Sequence, residues 1–361
     1  MTYLFLCSII LQKAYCVKKY SLIREICLHT NFACVLVSQE YRKDEHMRKP
    51  LLSICIPTYN RSASLKRSIE SIICQQEFLD GTVEIVVSDN ASQDDTDSVV
   101  KAYCDQFDNV YYYRNTENIR DQNFPLALSR GHGMLRRVCN DTLLYLPGSL
   151  GEMCGVIESC LRDKPFICWA NGDAMDKQEV LRTDFHGYVR DISFYMTSLG
   201  CFSIWDEECE DIQKDTDGCE LSLWQVRKGL ELASRKNAVI VSNARYTDTQ
   251  VVEKKNISYG LYKVFCENFF SLVKPYVESH ALSQEDFAFL EEDILFRFFL
   301  YWCARWELRD KSLEYSKTEN LKESIRGYYR EKPYWRRYQM LYAYRLCTMG
   351  TKKVLKRLLN R

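Results

Sequence analysis

From Leu51 onward, hydrophobic runs alternate with segments of helical periodicity. The run LLSICIP at 51–57 is almost continuously apolar, which is typical of a strand buried on both faces. The next segment, SASLKRSIESIICQQ at 62–76, carries its apolar residues at helical spacing. TVEIVVSDN at 82–90 and NVYYYRN at 109–115 predict a second and a third strand. This order predicts an α/β fold with a mainly parallel central sheet flanked by helices.

The pattern is less regular further along the chain. Residues 121–138 are interpreted as a helix that is broken near Pro125 and at Gly131-His132-Gly133. DTLLYLPG at 141–148 is interpreted as the fourth strand and PFICWANGD at 165–173 as the fifth. From Tyr259 onward the spacing predicts helices, one of them capped by the stretch from Ser283 to Asp286.

The changes in pattern divide the chain. We predict an N-terminal extension over 1–46, an α/β domain over 47–258 with halves at 47–175 and 176–258, and a helical region over 259–361. The apolar run at the start is about ten residues long, short of the ~20 that span a bilayer. Met47 stands just before the first strand, so we expect the functional chain to begin near it.

Composition excludes some classes of protein. The formal net charge is zero, which gives no support to a nucleic-acid binder that acts through its overall field. The chain has 17 cysteines, but they are scattered and form no C-x-x-C pair. We therefore expect most of them to be reduced, buried residues of a cytosolic protein.

The last forty residues are rich in basic and aromatic side chains. They carry 12 basic and 2 acidic residues among Tyr, Trp and Leu. This mixture suits a helix lying on an anionic membrane surface. The alternative is a solvated basic face on a helix whose aromatic residues pack on the protein. Nucleic acid is not an expected partner, because no known binding module accompanies the patch.

Polar side chains follow each predicted strand, where open α/β sheets bind ligands. Neither the G-x-G-x-x-G nor the G-x-x-x-x-G-K-[ST] loop is present after the first strand. A dinucleotide oxidoreductase or a P-loop NTPase is therefore disfavoured. The candidate ligand-binding residues are Pro57, Thr58, Tyr59, Asn60, Asp89, Asn90, Asn118, Arg120, Asp121, Gly148 and Ser149.

The segments LLSICIPTYNRSASLKRSIESI, VEIVVSDNASQDDTDSVV and NVYYYRNTEN together resemble the family 2 glycosyltransferases with the GT-A fold. The similarity covers residues 50–175 and is nearest to abequosyltransferase-like bacterial enzymes of O-antigen and capsule assembly. It implies that 47–175 binds a nucleotide sugar and that 176–258 binds the acceptor. Pro57, Thr58 and Tyr59 would then face the base and ribose, with Asp89 as their partner on the second strand.

The resemblance also implies Mg²⁺ or Mn²⁺ on a D-x-D motif after the fourth strand. Aligned on Gly148, that motif is replaced here by Ser149, Leu150 and Gly151, which supply no anionic oxygen. Glu152 is a weak candidate ligand, as are Asp141 and Asp173. Alternatively, Arg61, Arg114 or Arg120 could pair with the phosphates in place of the metal.

An inverting transfer needs a general base for the acceptor hydroxyl. The resemblance places this acid in the second half, and Asp217 and Glu220 are the candidates. Both could equally be helix-capping acids.

The predicted activity is transfer of a sugar from a nucleotide-diphosphate donor to a glycan or a polyprenyl-linked acceptor. We expect it in the cytoplasm, at the inner face of the cell membrane, in surface polysaccharide synthesis. The alternative is a catalytically inactive nucleotide-sugar-binding or scaffold protein with the same fold. A nucleotidyltransferase is disfavoured, because the first strand lacks the Gly-rich, basic loop that triphosphates require.

Overall fold

The computed structural model describes residues 49–359, with the exception of 173, 176–177, 251–254 and 258. The predictions for 1–46, Met47 and Asp173 lie outside these residues. The described chain belongs to one compact unit, Pro50–Arg361. Its division at 175 and 258 remains a prediction.

Strands and helices alternate through the first half, as the sequence predicts. The strands are β1 Leu52–Thr58, β2 Val83–Asp89, β3 Val110–Arg114, β4 Leu135–Val138, β5 Leu143–Tyr145, β6 Phe166–Trp169, β7 Val180–Thr183, β8 Ser203–Trp205, β9 Val239–Ser242, β10 Thr247–Thr249, β11 Lys255–Ile257 and β12 Leu313–Tyr315. The α-helices are α1 Ser62–Ile73, α2 Gln76–Leu79, α3 Thr96–Cys104, α4 Asn123–Ser129, α5 Ser149–Cys160, α6 Phe185–Ile192, α7 Trp224–Arg235, α8 Phe269–Glu278, α9 Gln284–Asp293, α10 Leu300–Glu307, α11 Leu321–Tyr329 and α12 Trp335–Leu359.

The central sheet has the strand order β3-β2-β1-β4-β8. Its first four strands are parallel, and β8 runs antiparallel at the edge beside β4. A second sheet has the order β6-β9-β7. The predicted fold class, a mainly parallel sheet flanked by helices, is confirmed.

Apolar side chains cover both faces of the central sheet. Ile54 and Ile56 of β1 pack in one core with Leu65 and Ile69 of α1. Cys55, between them, points to the opposite core. All seven residues of β2 are buried. The nearly continuous apolar runs thus follow from burial on both faces, because alternate residues of a strand meet different cores.

Two predictions around the fourth strand are wrong. Residues 121–138, interpreted as helix, contain the short helix α4 and then strand β4, which pairs with β1. The segment 141–148 is not the fourth strand of this sheet, because its short strand β5 pairs antiparallel with β10 in a separate ribbon. The sequence pattern does not predict β4 (LRRV), because two arginines interrupt its apolar residues.

The helical region after Tyr259 is confirmed, and so is the helix cap at Ser283. Ser283 and Asp286 form a reciprocal capping box at the start of α9. The buried Asp286 also accepts from Arg190 and lies 2.8 Å from His186, which ties α9 to α6. No helix in the described part of the chain is both long and apolar enough to cross a bilayer.

Candidate active site

The ends of β1 and β2 bring the first two groups of predicted site residues together. Parallel pairing sets Thr58 opposite Asp89, the last residues of their strands. Just beyond, the main-chain N–H of Asn90 donates to the carbonyl of Thr58 at 2.9 Å. The strand register alone therefore assembles this part of the sheet edge.

Asp89 stabilises this edge through hydrogen bonds to its side chain. Its side chain is fully buried, and one carboxylate oxygen accepts from the Ser92 N–H at 2.9 Å. The other accepts from the Tyr112 hydroxyl at 2.7 Å. Burial, together with the Asp89 carboxylate, raises the pKa of Tyr112, so the phenol remains a proton donor at neutral pH. Asp89 thus links the turn that follows β2 to strand β3.

Asn90 shapes the loop that leads to the predicted donor-sugar residues. Its amide nitrogen donates to the Asn118 side chain at 2.8 Å and to the Arg120 carbonyl at 3.2 Å. Its amide oxygen accepts from the Asn115 side chain at 3.1 Å and from the Ile119 N–H at 2.9 Å. Asn90 therefore couples the end of β2 to the whole 115–120 loop.

Tyr59 and Asn60 extend from the surface next to this network. Tyr59 is 42% exposed, which leaves its ring accessible for stacking. Asn60 adopts a left-handed conformation with φ 52°, and its side chain accepts from the Gln93 N–H. The turn after β1 is thus held open by side-chain hydrogen bonds, without a glycine. Pro57 lies half-buried at the end of β1.

Asp141 lies at the same edge, three residues after the end of β4. It is 3% exposed and accepts from the Thr58 hydroxyl at 2.8 Å. The Arg61 guanidinium forms an ion pair with its second oxygen at 3.0 Å. Burial raises the pKa of Asp141, while Arg61 and Thr58 act in the opposite direction. Asp141 therefore joins the strand ends of β1 and β4.

Gly148 and Ser149 lie away from the edge formed by Thr58 and Asp89. The N–H of Leu150 donates to the Gln75 side chain. Gln75 lies just after the C-terminal end of α1, whereas Arg61 lies just before the N-terminal end of this helix. This helix of 12 residues is about 18 Å long, at 1.5 Å per residue. The structure therefore does not bring Gly148, Ser149 or Glu152 to the edge formed by Thr58 and Asp89. The segment that follows β4 therefore begins earlier in the chain than the alignment on Gly148 predicted.

Residues of the 119–122 and 216–222 segments line a cavity of about 330 Å³. Arg120, Asp121 and Glu220 line it together. Burial raises the pKa of Asp121, against the influence of the Ser222 hydroxyl and Arg120. Burial and the nearby Asp121 and Glu220 carboxylates raise the pKa of Cys219 to about 12. The thiol between these acids is therefore protonated and is not a nucleophile.

The two predicted base candidates occupy different positions. Glu220 lines the cavity and accepts from the Gly218 N–H at 3.0 Å. Asp217 is exposed and is not among the cavity-lining residues. The residue before α7 is Leu223, and no side chain in the described chain caps this helix. Neither acid therefore acts as its N-cap.

Comparison with known proteins finds a family match in the first part of the described chain. Residues 53–131 match the model of glycosyl transferase family 2. Over these residues, which are a part of the chain, the sequence is similar to a family 2 glycosyl transferase domain. The matched segment runs from β1 through α4 and includes Thr58, Asp89, Asn90, Arg120 and Asp121. The resemblance inferred from the sequence is confirmed.

Two bacterial relatives are similar to this chain over different shares of their length. An abequosyltransferase, RfbV, of Salmonella typhimurium is 40% identical over 86 residues, which are 23% of this chain and 25% of the relative. The GalNAc(5)-diNAcBac-PP-undecaprenol beta-1,3-glucosyltransferase of Campylobacter jejuni is 23% identical over 303 residues, which are 81% of this chain and 86% of the relative. The chain thus aligns with a quarter of the first relative and most of the second.

Among solved structures, TarS of S. aureus has a similar fold. The TM-score is 0.52 at 17% sequence identity, over 68% of this chain and 44% of that one. At this level of identity the similarity concerns the fold alone. With the family 2 match, it confirms the predicted GT-A fold.

The side chains of the family 2 domain do not fit a divalent cation. Mg²⁺ and Mn²⁺ favour several oxygen ligands, usually including carboxylates. At the end of β4 the only acid is Asp141, and both of its oxygens already have partners. The described residues contain no group of three or more His, Cys, Asp or Glu that could hold a metal ion. Glu152 is exposed on α5, at the far end of α1 from Arg61.

The sequence pointed only weakly to Asp141. It named this residue as a substitute metal ligand, whereas the structure makes it a hydrogen-bonded link between strand ends. The available signal was the segment Cys139–Asn140–Asp141 directly after LRRV, had LRRV been recognised as a strand. Tyr112 was missed because it looks like an ordinary strand residue, and only the β2–β3 pairing brings it to Asp89.

Proposed function

We propose that this protein is an inverting glycosyltransferase that moves a sugar from a nucleotide-diphosphate donor to a glycan or lipid-linked acceptor of a surface polysaccharide. One observation carries the proposal. The cavity lined by Arg120, Asp121 and Glu220 is joined, through Asn90, to the polar edge at Thr58. A cationic group, two carboxylates and an accessible aromatic ring are what a charged donor and a hydroxyl acceptor require.

Each group has a part in the proposed reaction. The base of the donor stacks near Tyr59, and the donor sugar lies by Arg120 and Asp121. The acceptor hydroxyl oxygen attacks the anomeric carbon as the bond from that carbon to the diphosphate oxygen breaks. The electron pair of that bond leaves with the nucleoside diphosphate. Glu220 takes the proton of the attacking hydroxyl.

The names of the two relatives support the substrate classes. One is called an abequosyltransferase, and the other carries GalNAc(5)-diNAcBac-PP-undecaprenol in its name. The second aligns over most of both chains, including the second half that we assign to the acceptor. A polyprenyl-linked glycan acceptor therefore has more support than a free sugar.

A thermal-shift panel of UDP-, GDP-, CDP- and dTDP-sugars tests the proposal. A ligand at 100 times its Kd stabilises the folded state by about 2.7 kcal/mol. We expect one nucleotide class to raise the Tm by several degrees, whereas the free sugars do not. If no nucleotide sugar changes the Tm, donor binding is contradicted. Specific binding without donor hydrolysis or transfer to any glycan acceptor would favour the inactive alternative.

We also propose that α12 rests on an anionic membrane surface. Its inner side packs on the protein, with the Tyr338 ring 6.2 Å from that of Phe296. Met340 and Tyr344 are 67% and 69% exposed, and Leu341 is 41% exposed beside them. An exposed apolar strip with arginines on the same helix, Arg336, Arg337 and Arg345, matches the chemistry of acidic headgroups over acyl chains.

Vesicle sedimentation tests this surface. The full chain should bind phosphatidylcholine vesicles that contain 30% phosphatidylglycerol, and binding should weaken as salt rises. Serine at Met340, Leu341 and Tyr344 together should lower the bound fraction at least fivefold. A control changes two exposed apolar residues elsewhere, Leu79→Ser with Val180→Ser, which are 48% and 47% exposed, and should bind normally. Equal binding of the two variants would refute the proposed surface.

A further inference from the structure

We propose that Arg61, oriented by Asp141, binds the donor diphosphate in place of a divalent cation. This inference deepens the proposed function and rests on it. Its consequence is a transferase whose donor binding does not need Mg²⁺ or Mn²⁺.

The first support is the geometry of the ion pair. Asp141 is held at one oxygen by the Thr58 hydroxyl at 2.8 Å and at the other by Arg61 Nη1 at 3.0 Å. The carboxylate side chain is 4% exposed, so its position is defined by packing. The guanidinium is thereby fixed at the carboxyl edge of the central sheet, beside the turn that carries Tyr59.

The second support is what remains available on Arg61. Its side chain is 55% exposed. Toward the described residues the guanidinium uses Nη1 alone, although arginine has five N–H donors in a planar fork. The unused edge can therefore bind two phosphate oxygens, a geometry that guanidinium favours. Asp141 acts as a positioning residue, because it sets the plane of the fork without contacting the donor.

A cation at Asp141 would compete directly with Arg61. Like charges a few ångströms apart repel each other, and the double charge of a divalent ion doubles this repulsion. The ion would also have to share a carboxylate whose two oxygens already accept from Thr58 and Arg61. Arg61 can instead supply the positive charge that the departing diphosphate needs.

The other arginines named from the sequence are less suited to this role. Arg114 donates to the Ser92 carbonyl at 2.7 Å, which commits it to the turn after β2. Arg120 lines the cavity at the proposed sugar end of the donor. Arg61 is the one of the three that is paired to an acid at the strand ends of β1 and β4.

Isothermal titration of the full chain with UDP, GDP, CDP and dTDP, each compared with its nucleoside, tests the proposal. For the diphosphate that binds, we expect Kd in EDTA to lie within about threefold of Kd in MnCl₂. Arg61→Ala should weaken diphosphate binding about 10- to 100-fold, the range of a lost charged hydrogen-bond pair, and leave nucleoside binding unchanged. Arg61→Lys should retain part of the affinity.

The chain offers a matched control. Arg182 is also 55% exposed and paired with an aspartate, Asp163, but it lies on β7 of the second sheet. Arg182→Ala should bind the diphosphate like the unaltered protein. Circular dichroism and the Tm of each variant separate lost binding from lost folding.

The possible failures are distinguishable. Binding that requires Mn²⁺ and disappears in EDTA would overturn the role of Arg61 and leave the proposed transferase function intact. Normal diphosphate binding by Arg61→Ala would do the same. No binding of any nucleotide by the unaltered protein, with or without Mn²⁺, would overturn the proposed function and this inference together.

Discussion

Replacing Glu220 with glutamine is expected to lower the kcat of sugar transfer by about 10²- to 10⁴-fold, the range of a lost general base. Glutamine keeps the size of the side chain and its carbonyl acceptor, so the hydrogen bond from the Gly218 N–H can persist. It cannot take a proton from the acceptor hydroxyl. Steady-state kinetics with saturating donor should therefore show lower kcat, and titration should show donor affinity unchanged within about threefold.

Asp217→Asn is the matched control for this experiment. Asp217 is three residues away and exposed, and it lies outside the lining of the cavity. Its replacement should leave kcat within about twofold of the original value. A full loss of activity in Asp217→Asn with normal turnover in Glu220→Gln would exchange the two roles and contradict our assignment of the base.

Removing the Glu84 carboxylate should cause a large loss of stability without affecting the site. Glu84 is fully buried and accepts from the N–H groups of His132 at 2.6 Å and Gly133 at 3.2 Å, and from the Ser53 hydroxyl. Each buried donor left without a partner costs about 1–3 kcal/mol. We expect Glu84→Ala to lower the free energy of unfolding by about 3–5 kcal/mol, since the network loses its shared acceptor.

Urea denaturation of Glu84→Ala and Glu84→Gln measures this effect. Glutamine retains one acceptor oxygen and should lose less stability than alanine. Glu267 forms an exposed ion pair with Lys263, one helical turn away. The control variant Glu267→Ala should therefore change the free energy of unfolding by less than about 1 kcal/mol. Equal midpoints for Glu84→Ala and Glu267→Ala would show that the buried carboxylate is not structurally important.

The same cluster explains why part of the fold was hard to predict. An ideal Cβ on Gly133 would lie 2.7 Å from the main-chain nitrogen of Ser53, so the chain can enter β4 this close to β1 only with glycine. In the sequence, Gly131 and Gly133 merely looked like breaks in a helix. Their role becomes visible only once β4 is paired with β1.

Arg137 gives a second example. An arginine in a four-residue segment argues against a buried strand, yet Arg137 is 1% exposed. Its guanidinium lies 5.8 Å from the Tyr145 ring and 5.6 Å from the Trp169 ring, and it donates to the Gly200 carbonyl at 3.0 Å. These partners come from three distant segments. No local pattern could reveal that they would satisfy the charge.

By itself, the sequence determined the α/β class, the strands β1, β2, β3 and β6, the helical C-terminal region and the family resemblance, because continuous apolar runs and helical spacing are local consequences of burial. It also predicted that Thr58 and Asp89 meet at one edge of the sheet, since the ends of parallel strands must do so. The assignment of Asn90, Arg120 and Asp121 to a donor site remains a proposal. Only the tertiary structure decided that Asp141 rather than Gly148 joins that edge, that Arg61 is its partner, and that Glu220 rather than Asp217 lines the cavity. Those contacts join segments 75 or more residues apart, and the packing of the whole chain, rather than the local sequence of either segment, brings them together.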